Sequence, residues 1–434
     1  MSIVAVLFML LVVGIPVGVA FALIVMVNAD AWNIDLPSLA SIPYDAVSNF
    51  PLLAIPLFLL GGELMNRGGL IRQLTSVCDA FMTWARAPLG HVMIAASALM
   101  GAITGSSVAT VAAIGGTVGK EMSARGYPRG YTAALNASAG LLGVLIPPSI
   151  PLILYGSIVG VSITQLFLAS VVPGIVMMTA FFIVHAYMAR HVLPGGQESI
   201  GVIHEPASST SAAVTEVKTT KTSILVKAIP ALMLPVLVLG GIYSGVFTPT
   251  EAAAVAGTYA LLVTVLGRMT HIKDLGGIFG RAAISSASIL VIIGFTSIFN
   301  RAMVLEQVPQ SIAAFATDFT ASPVIFLLVV NLVLLLVGMF METNAATLLM
   351  GPLLAPAAGK FGIDPVHFAI ILVVNIEIGL LTPPMAANLF VAARTNQAPL
   401  VELIRYLGWF MVAALIVMAF ITYVPQLSLW YRLF

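Results

Sequence analysis

The chain reads as an all-α polytopic membrane protein made of an inverted repeat, each half carrying one re-entrant helical hairpin and one broken helix. Three observations give that fold class. Hydrophobic residues are 60% of the 434 and charged residues only 8%, with mean hydropathy +1.09, a balance no soluble protein of this length shows. Apolar runs recur at lengths near the roughly 20 residues that cross a bilayer. Two of those runs, 141–149 (LLGVLIPPS) and 380–385 (LLTPPM), contain a Pro-Pro pair. A proline lacks the helical N–H and clashes with the preceding turn, so each pair leaves carbonyls unmatched in a medium without water.

In chain order, an apolar run predicts a first span near 3–27. It has no basic start and exceeds the roughly 7 to 15 residues of a signal-peptide core, so it is expected to be retained. An acidic loop over 28–45, a span over 46–66 and an amphipathic stretch over 67–89 follow. The run 90–118 is interrupted at Thr104, Gly105, Ser106 and Ser107, and neither piece is long enough to cross alone, which predicts a hairpin with polar residues at its tip. Next come a broken span over 131–164, a span over 165–190 and a polar linker over 191–223. Spans are then expected near 224–246, 251–268 and 283–302, followed by a second interrupted run over 322–360, the second Pro-Pro break and a final span near 404–425.

The second half replays the first. Pro147 and Pro383 are 236 residues apart, as are Ser107 and Thr343, while Asn66-Arg67 and Asn300-Arg301 end corresponding spans; three matched landmarks predict an internal duplication. With the N-terminus placed inside, the cytoplasmic segments hold 15 of the 18 Lys and Arg, as the positive-inside rule asks. The two hairpins then open to opposite sides. Paired interruptions in inverted halves are the sequence pointer to a transporter's substrate and ion sites.

A helix stopped within the membrane exposes unpaired backbone groups and about half a unit of dipole charge. The tip hydroxyls of Thr104 and Ser106 face Gly140, Gly143 and Val144, whose carbonyls precede Pro147-Pro148. Hard oxygens without a dedicated carboxylate suit Na+ better than a transition metal. The symmetric set is Thr343 and Asn344 against Gly379, Leu380 and Thr382, giving two equivalent expected Na+ sites. No Lys or Arg lies deep in the hairpins or broken spans, so an anionic substrate would be held by helix ends, hydroxyls, amides and bound Na+. Ser107, Ser149, Asn344 and Asn388 are the candidate substrate contacts. Glu342 and Glu377 are the two deep carboxylates, each either a cation or proton site or a partner for neighbouring backbone. Glu63 and Glu251, near span ends, read as interfacial or structural.

Other signals carry less. Cys78 is the single cysteine; it excludes an internal disulfide and reads as an apolar filler. Gly156 and Gly160 make a GxxxG spacing that 37 glycines produce by chance. Ser107 after Gly105 matches a fragment of an intramembrane serine hydrolase, but all six histidines lie near predicted segment ends. No HExxH and no phosphate-binding GxxxxGK[ST] loop occurs, which argues against zinc hydrolysis and ATP coupling. The net charge of +1 implies no nucleic-acid partner.

Four long motifs in order, PLLAIPLFLLGGELMNRGGL (51–70), GAITGSSVATVAAIG (101–115), GVLIPPSIPLILYG (143–156) and NIEIGLLTPPMAANLFVAA (375–393), resemble the large membrane subunit of tripartite ATP-independent periplasmic (TRAP) transporters, the DctM-like family. The resemblance covers essentially the whole chain. It implies an elevator-type transporter of the bacterial inner membrane that takes up a small organic acid, such as a C4-dicarboxylate or sialic acid, with Na+ as coupling ion and no cofactor. It also implies a small four-helix membrane partner (DctQ-like) and a periplasmic substrate-binding protein (DctP-like), and that the chain is not an enzyme. Carried over, one sodium site falls on Thr104 and Ser106 with backbone at Gly140, Gly143 and Val144, the other on Thr343 with backbone near Gly379 and Thr382. Many relatives carry aspartate where this chain has Thr110, and proline where it has Val144. The expected divisions are outer helices and an arm over 1–89, transport halves over 90–165 and 322–395, outer helices with the linker and second arm over 166–321, and a C-terminal outer helix over 396–434. The alternatives are a stand-alone sodium-coupled dicarboxylate symporter and, from another class, an intramembrane hydrolase or a channel.

Overall fold

The structure is a computed structural model that describes residues 6–7, 9–10, 13–32, 36–82, 87–192, 221–384 and 386–432. Most of the linker predicted over 191–223 and most of the start of the first span lie outside the described residues. Among the described residues every regular element is helical, and seven helical stretches are long and apolar enough to cross a membrane.

The first half runs α1 (Val17–Asn28), α2 (Ala54–Arg67), α3 (Leu70–Phe81), α4 (Pro88–Thr104), α5 (Ser107–Ile114), α6 (Arg129–Ala139), α7 (Ile150–Val159) and α8 (Ile163–Val192). The second runs α9 (Lys221–Tyr243), α10 (Pro249–Leu266), α11 (Ile272–Leu305), α12 (Val308–Phe319), α13 (Pro323–Phe340), α14 (Thr343–Lys360), α15 (Pro365–Gly379), α16 (Ala387–Thr395) and α17 (Leu400–Tyr423). A shift of 236 residues carries Ser107, where α5 starts, onto Thr343, where α14 starts, and Arg129 onto Pro365, where α6 and α15 start. The fold is therefore the inverted repeat with two re-entrant hairpins and two broken helices that the sequence predicts.

Each hairpin turns where its residues demand it. Helix α4 has 17 residues, about 26 Å, short of the roughly 30 Å hydrocarbon layer. It ends at Gly105, whose φ of +61° lies in the left-handed region that costs a glycine nothing. Ser106 then opens α5 as an N-cap, accepting from the Ala109 N–H at 3.4 Å. The arm α3 buries Leu70, Ile71, Leu74 and Cys78 at helical spacing, so Cys78 is the filler expected.

Two details differ from the sequence-based expectation. The segment expected as a cytoplasmic connection before 283 is helical, part of the 34-residue α11, about 51 Å long at 1.5 Å per residue. Its charged residues continue the helix, and Arg281 bonds Glu63 of α2 at 2.5 Å. Helices α8 and α17, grouped with the outer helices from sequence, pack mainly on each other and on the hairpins and broken helices, whereas α1, α2, α10 and α11 pack among themselves. Apolarity alone marks a helix as crossing a membrane without saying which body it joins.

The halves interlock through the broken helices. The leading piece of each, α6 or α15, packs on its own half's hairpin, whereas the trailing piece crosses over: α7 lies on α14, and α16 on α5. Tyr155 of α7 donates its hydroxyl to the carbonyl of Pro365 at 3.2 Å, and just past the end of α5 a Cβ on Gly115 would lie 2.5 Å from Oγ1 of Thr395, the last residue of α16.

Candidate functional site

The helical donors owed to the carbonyls of Gly143 and Val144 stand four residues on, at Pro147 and Pro148, which have no N–H. The same holds for Gly379 and Leu380 against Pro383 and Pro384. A shorter turn repairs part of the loss at the second break, where the Thr382 N–H bonds the Gly379 carbonyl at 2.8 Å. At the first, the chain past the break is tied to the hairpin, since the Gly105 carbonyl accepts the Ile150 N–H at the head of α7 at 3.2 Å.

Close backbone approach at both breaks depends on glycine. A Cβ on Gly143 would lie 2.5 Å from Thr110 Oγ1 and 2.8 Å from the Ser106 carbonyl; one on Gly379 would lie 2.6 Å from Gly338 Cα. Gly101 lies similarly against the Leu142 carbonyl and Gly143. In each half a glycine of the hairpin's first arm thus presses on the glycine that precedes the break.

The first predicted sodium set comes together. Thr104 Oγ1 lies 3.2 Å from Thr110 Oγ1, 3.1 Å from the Met100 carbonyl and 3.5 Å from the Ser106 carbonyl, with Gly143 pressed against Thr110 and that same Ser106 carbonyl. Gly140 abuts the Ser107 carbonyl, and Val144 is buried. Thr110, noted in the sequence only as a departure from relatives, is a full member of this cluster. In the second set Thr343 is directed elsewhere: its hydroxyl donates to Glu377 Oε1 at 2.7 Å, while Thr382 Oγ1 reaches only the Ile378 carbonyl at 3.4 Å.

Glu377, read from the sequence as a cation or proton site or a partner for neighbouring backbone, stands at the centre of the site. Ser107 at the first tip donates to the same Oε1 at 3.2 Å, so both hairpins converge on one side chain that is fully buried. Its Oε2 is buried without a hydrogen-bond partner among the described residues. The other deep carboxylate, Glu342, serves the backbone: it caps α14, accepting from Asn344 N at 3.0 Å and Ala345 N at 3.3 Å, and from Asn344 Nδ2 at 2.7 Å. Glu63 pairs with Arg281 and Arg67 and Glu251 forms a capping box with Thr248, both structural roles.

The candidate substrate contacts divide. Ser107 is engaged by Glu377 and Asn344 by Glu342, whereas Ser149 Oγ and both amide atoms of Asn388 are buried with no partner among the described residues. Buried polar groups are nearly always paired, so free ones beside two helix breaks are the groups available to a ligand.

Interrupted helices that meet at a buried polar centre, in a chain of membrane-crossing helices, define the class of a membrane permease. The chain matches the family described as "Tripartite ATP-independent periplasmic transporter, DctM component" over residues 4–427, and it belongs to that family. It is 38% identical over 394 residues to the C4-dicarboxylate TRAP transporter large permease protein DctM of Pseudomonas aeruginosa, covering 90% of this chain and 88% of that one. To the sialic acid TRAP transporter large permease protein SiaM of Vibrio cholerae it is 33% identical, covering 97% and 95%. To the isethionate TRAP transporter permease protein DctMQ of Oleidesulfovibrio alaskensis it is 36% identical, covering 97% of this chain but 64% of that longer protein. Among solved structures, the YdaH transporter of Alcanivorax borkumensis shares the fold at TM-score 0.58 and 16% identity, covering 91% of this chain and 88% of that one.

Proposed function

We propose that this large permease subunit imports a small organic acid, of the C4-dicarboxylate or sialic-acid kind, together with Na+ across the bacterial inner membrane. The hairpin-bearing body would move against the outer helices as an elevator. A periplasmic binding protein would deliver the substrate, and a small four-helix subunit would stand beside the outer helices. The observation that carries the reading is the meeting of both hairpin tips at Glu377, which sets two broken helices, one hydroxyl cluster and the free groups of Ser149 and Asn388 around one buried centre. With no Lys or Arg between residues 88 and 119, 130 and 189, 323 and 359, or 361 and 393, an organic anion there needs its charge offset by bound cations and helix ends. Relatives named for C4-dicarboxylates and sialic acid support the substrate class, and the longer relative named DctMQ supports the small subunit.

The test is uptake into proteoliposomes holding the chain with its small subunit, with the binding protein added outside. Accumulation is expected only under an inward Na+ gradient, and Thr104→Val is expected to raise the Na+ needed for half-maximal uptake without lowering the amount of folded protein. Uptake indifferent to Na+ would remove the coupling ion from the proposal. Uptake by the chain alone would replace it with a stand-alone symporter.

A further inference from the structure

The two deep carboxylates differ in how their charge is met. Glu342 sits at the head of α14, where two backbone N–H groups and the helix dipole offset a negative charge. Glu377 lies on the last turn of α15, two residues before its end at Gly379, where the dipole disfavours negative charge. Its compensation among the described residues is two neutral hydroxyls on one oxygen; the other oxygen has no hydrogen-bond partner there. No Lys or Arg occurs between residues 88 and 119, 130 and 189, 323 and 359, or 361 and 393. A desolvated carboxylate without a paired charge costs several kcal/mol, so its counter-charge has to come from solution.

We propose that Glu377 is a ligand of a Na+ ion held between the two hairpin tips, with the hydroxyl oxygens of Ser107 and Thr343 as further ligands. This deepens the sodium reading above and rests on it, adding a site shared by both halves to the backbone sites of each. Carboxylate and hydroxyl oxygens are hard donors that suit such an ion. The site has a function that neither backbone site can supply. An organic anion entering beside a bare Glu377 would meet a like charge, and Na+ on that carboxylate removes the repulsion. Because one ligand comes from each tip, the bound ion would also tie hairpin to hairpin, so that ion and substrate favour the same arrangement of the centre.

The test counts Na+ bound to the purified full-length chain by equilibrium binding of radioactive sodium. Glu377→Gln keeps an acceptor oxygen for both hydroxyls and removes the charge; it is expected to bind one Na+ fewer per chain, with an unfolding midpoint in Na+-free buffer no lower than that of the unaltered chain. A Gln variant that binds as many Na+ ions as the unaltered chain overturns the inference, as does one altered only in its response to pH. Should the Gln variant not fold, the unaltered chain decides the matter: labelling of Glu377 by a hydrophobic carbodiimide is expected to slow as Na+ saturates, and a rate indifferent to Na+ overturns the site. An unaltered chain that binds no Na+ at all brings down the proposed function itself, a result distinct from losing this one ion.

Discussion

The two halves of the molecule share a backbone and differ in chemistry. At positions 236 residues apart, the second half carries Glu342, Asp364 and Glu377 where the first has Ser106, Pro128 and Leu141. Conversely, the first half's hydroxyl pair Thr104 and Thr110 corresponds to Phe340 and Ala346 in the second. The breaks differ in access too: Pro147, Pro148 and Ser149 are buried, whereas Pro383 and Pro384 are exposed and Thr382 is half-buried. The duplication therefore preserved the interruption of the helix, the element that backbone physics enforces, and let the side chains around it specialise. One half supplies neutral oxygens in a closed pocket and the other supplies negative charge beside an open mouth.

The largest expected effect comes from the shared backbone. Gly379→Ala drives its Cβ into main-chain atoms, 2.6 Å from Gly338 Cα and 2.7 Å from the Leu335 carbonyl, and main chain in a packed helix cannot step aside. A loss of about 3 kcal/mol or more is expected, read as a collapse of the folded yield and of the thermal midpoint. Gly143→Ala meets the Thr110 hydroxyl as well as the Ser106 carbonyl, and part of that clash is relieved by rotation, so about 2 kcal/mol is expected. Equal losses at the two glycines would show that the crossings tolerate insertion alike, against the difference drawn here.

The caps should separate the halves by less. Glu342 accepts two backbone N–H groups at the head of α14, whereas Ser106 accepts one, at a long 3.4 Å. Glu342→Ala is expected to cost about 2 kcal/mol and Ser106→Ala about 0.5 kcal/mol, measured as shifts of the thermal midpoint in the same detergent. If Ser106→Ala proves the more damaging, the two tips are held in a different way from the one their bonds indicate.

Much of this is legible in the sequence because the strongest signals are local. A Pro-Pro pair in an apolar run names a break wherever it stands, and Gly105 followed by two serines names a turn. The repeat is legible because Ser107, Thr343, Pro147 and Pro383 keep one spacing. The centre is not, for a physical reason: Ser107 and Glu377 are 270 positions apart, and only the crossing of α7 and α16 to the opposite hairpins brings the tips together. Glu377 stands out in the sequence for its depth, but its partners depend on which face of α15 meets the tips, and a helix that is apolar on nearly every side gives no amphipathic stripe to fix that face. Thr110 is hidden likewise, since a threonine six residues from Thr104 gains meaning only after the chain turns back on itself.

The smallest effect lies at the outer end of the second broken helix. Asp364 caps α15 by accepting from Val366 N at 2.8 Å and His367 N at 3.3 Å, and it pairs with Arg432 at 2.6 Å; its counterpart Pro128 caps α6 with no side-chain bond. Partial burial pushes the Asp364 carboxyl up, but the Arg432 hydrogen bond and the two backbone N–H groups outweigh it and hold the group below the usual carboxylate range. A carboxyl depressed on folding contributes stability that is present above its unfolded value, about 4, and is lost as pH falls through its folded value. Both partners are partly exposed, so screening limits the pair to about 1 kcal/mol or less. Asp364→Asn retains a good capping side chain and deletes only the charge. At neutral pH its thermal midpoint should sit slightly below that of the unaltered chain, and the gap should close as the pH is lowered past the carboxyl's folded value. A gap that persists unchanged in acid would assign the effect to the cap rather than to the charge, and with it the tie between the chain's last turn and the head of α15 would lose its electrostatic basis.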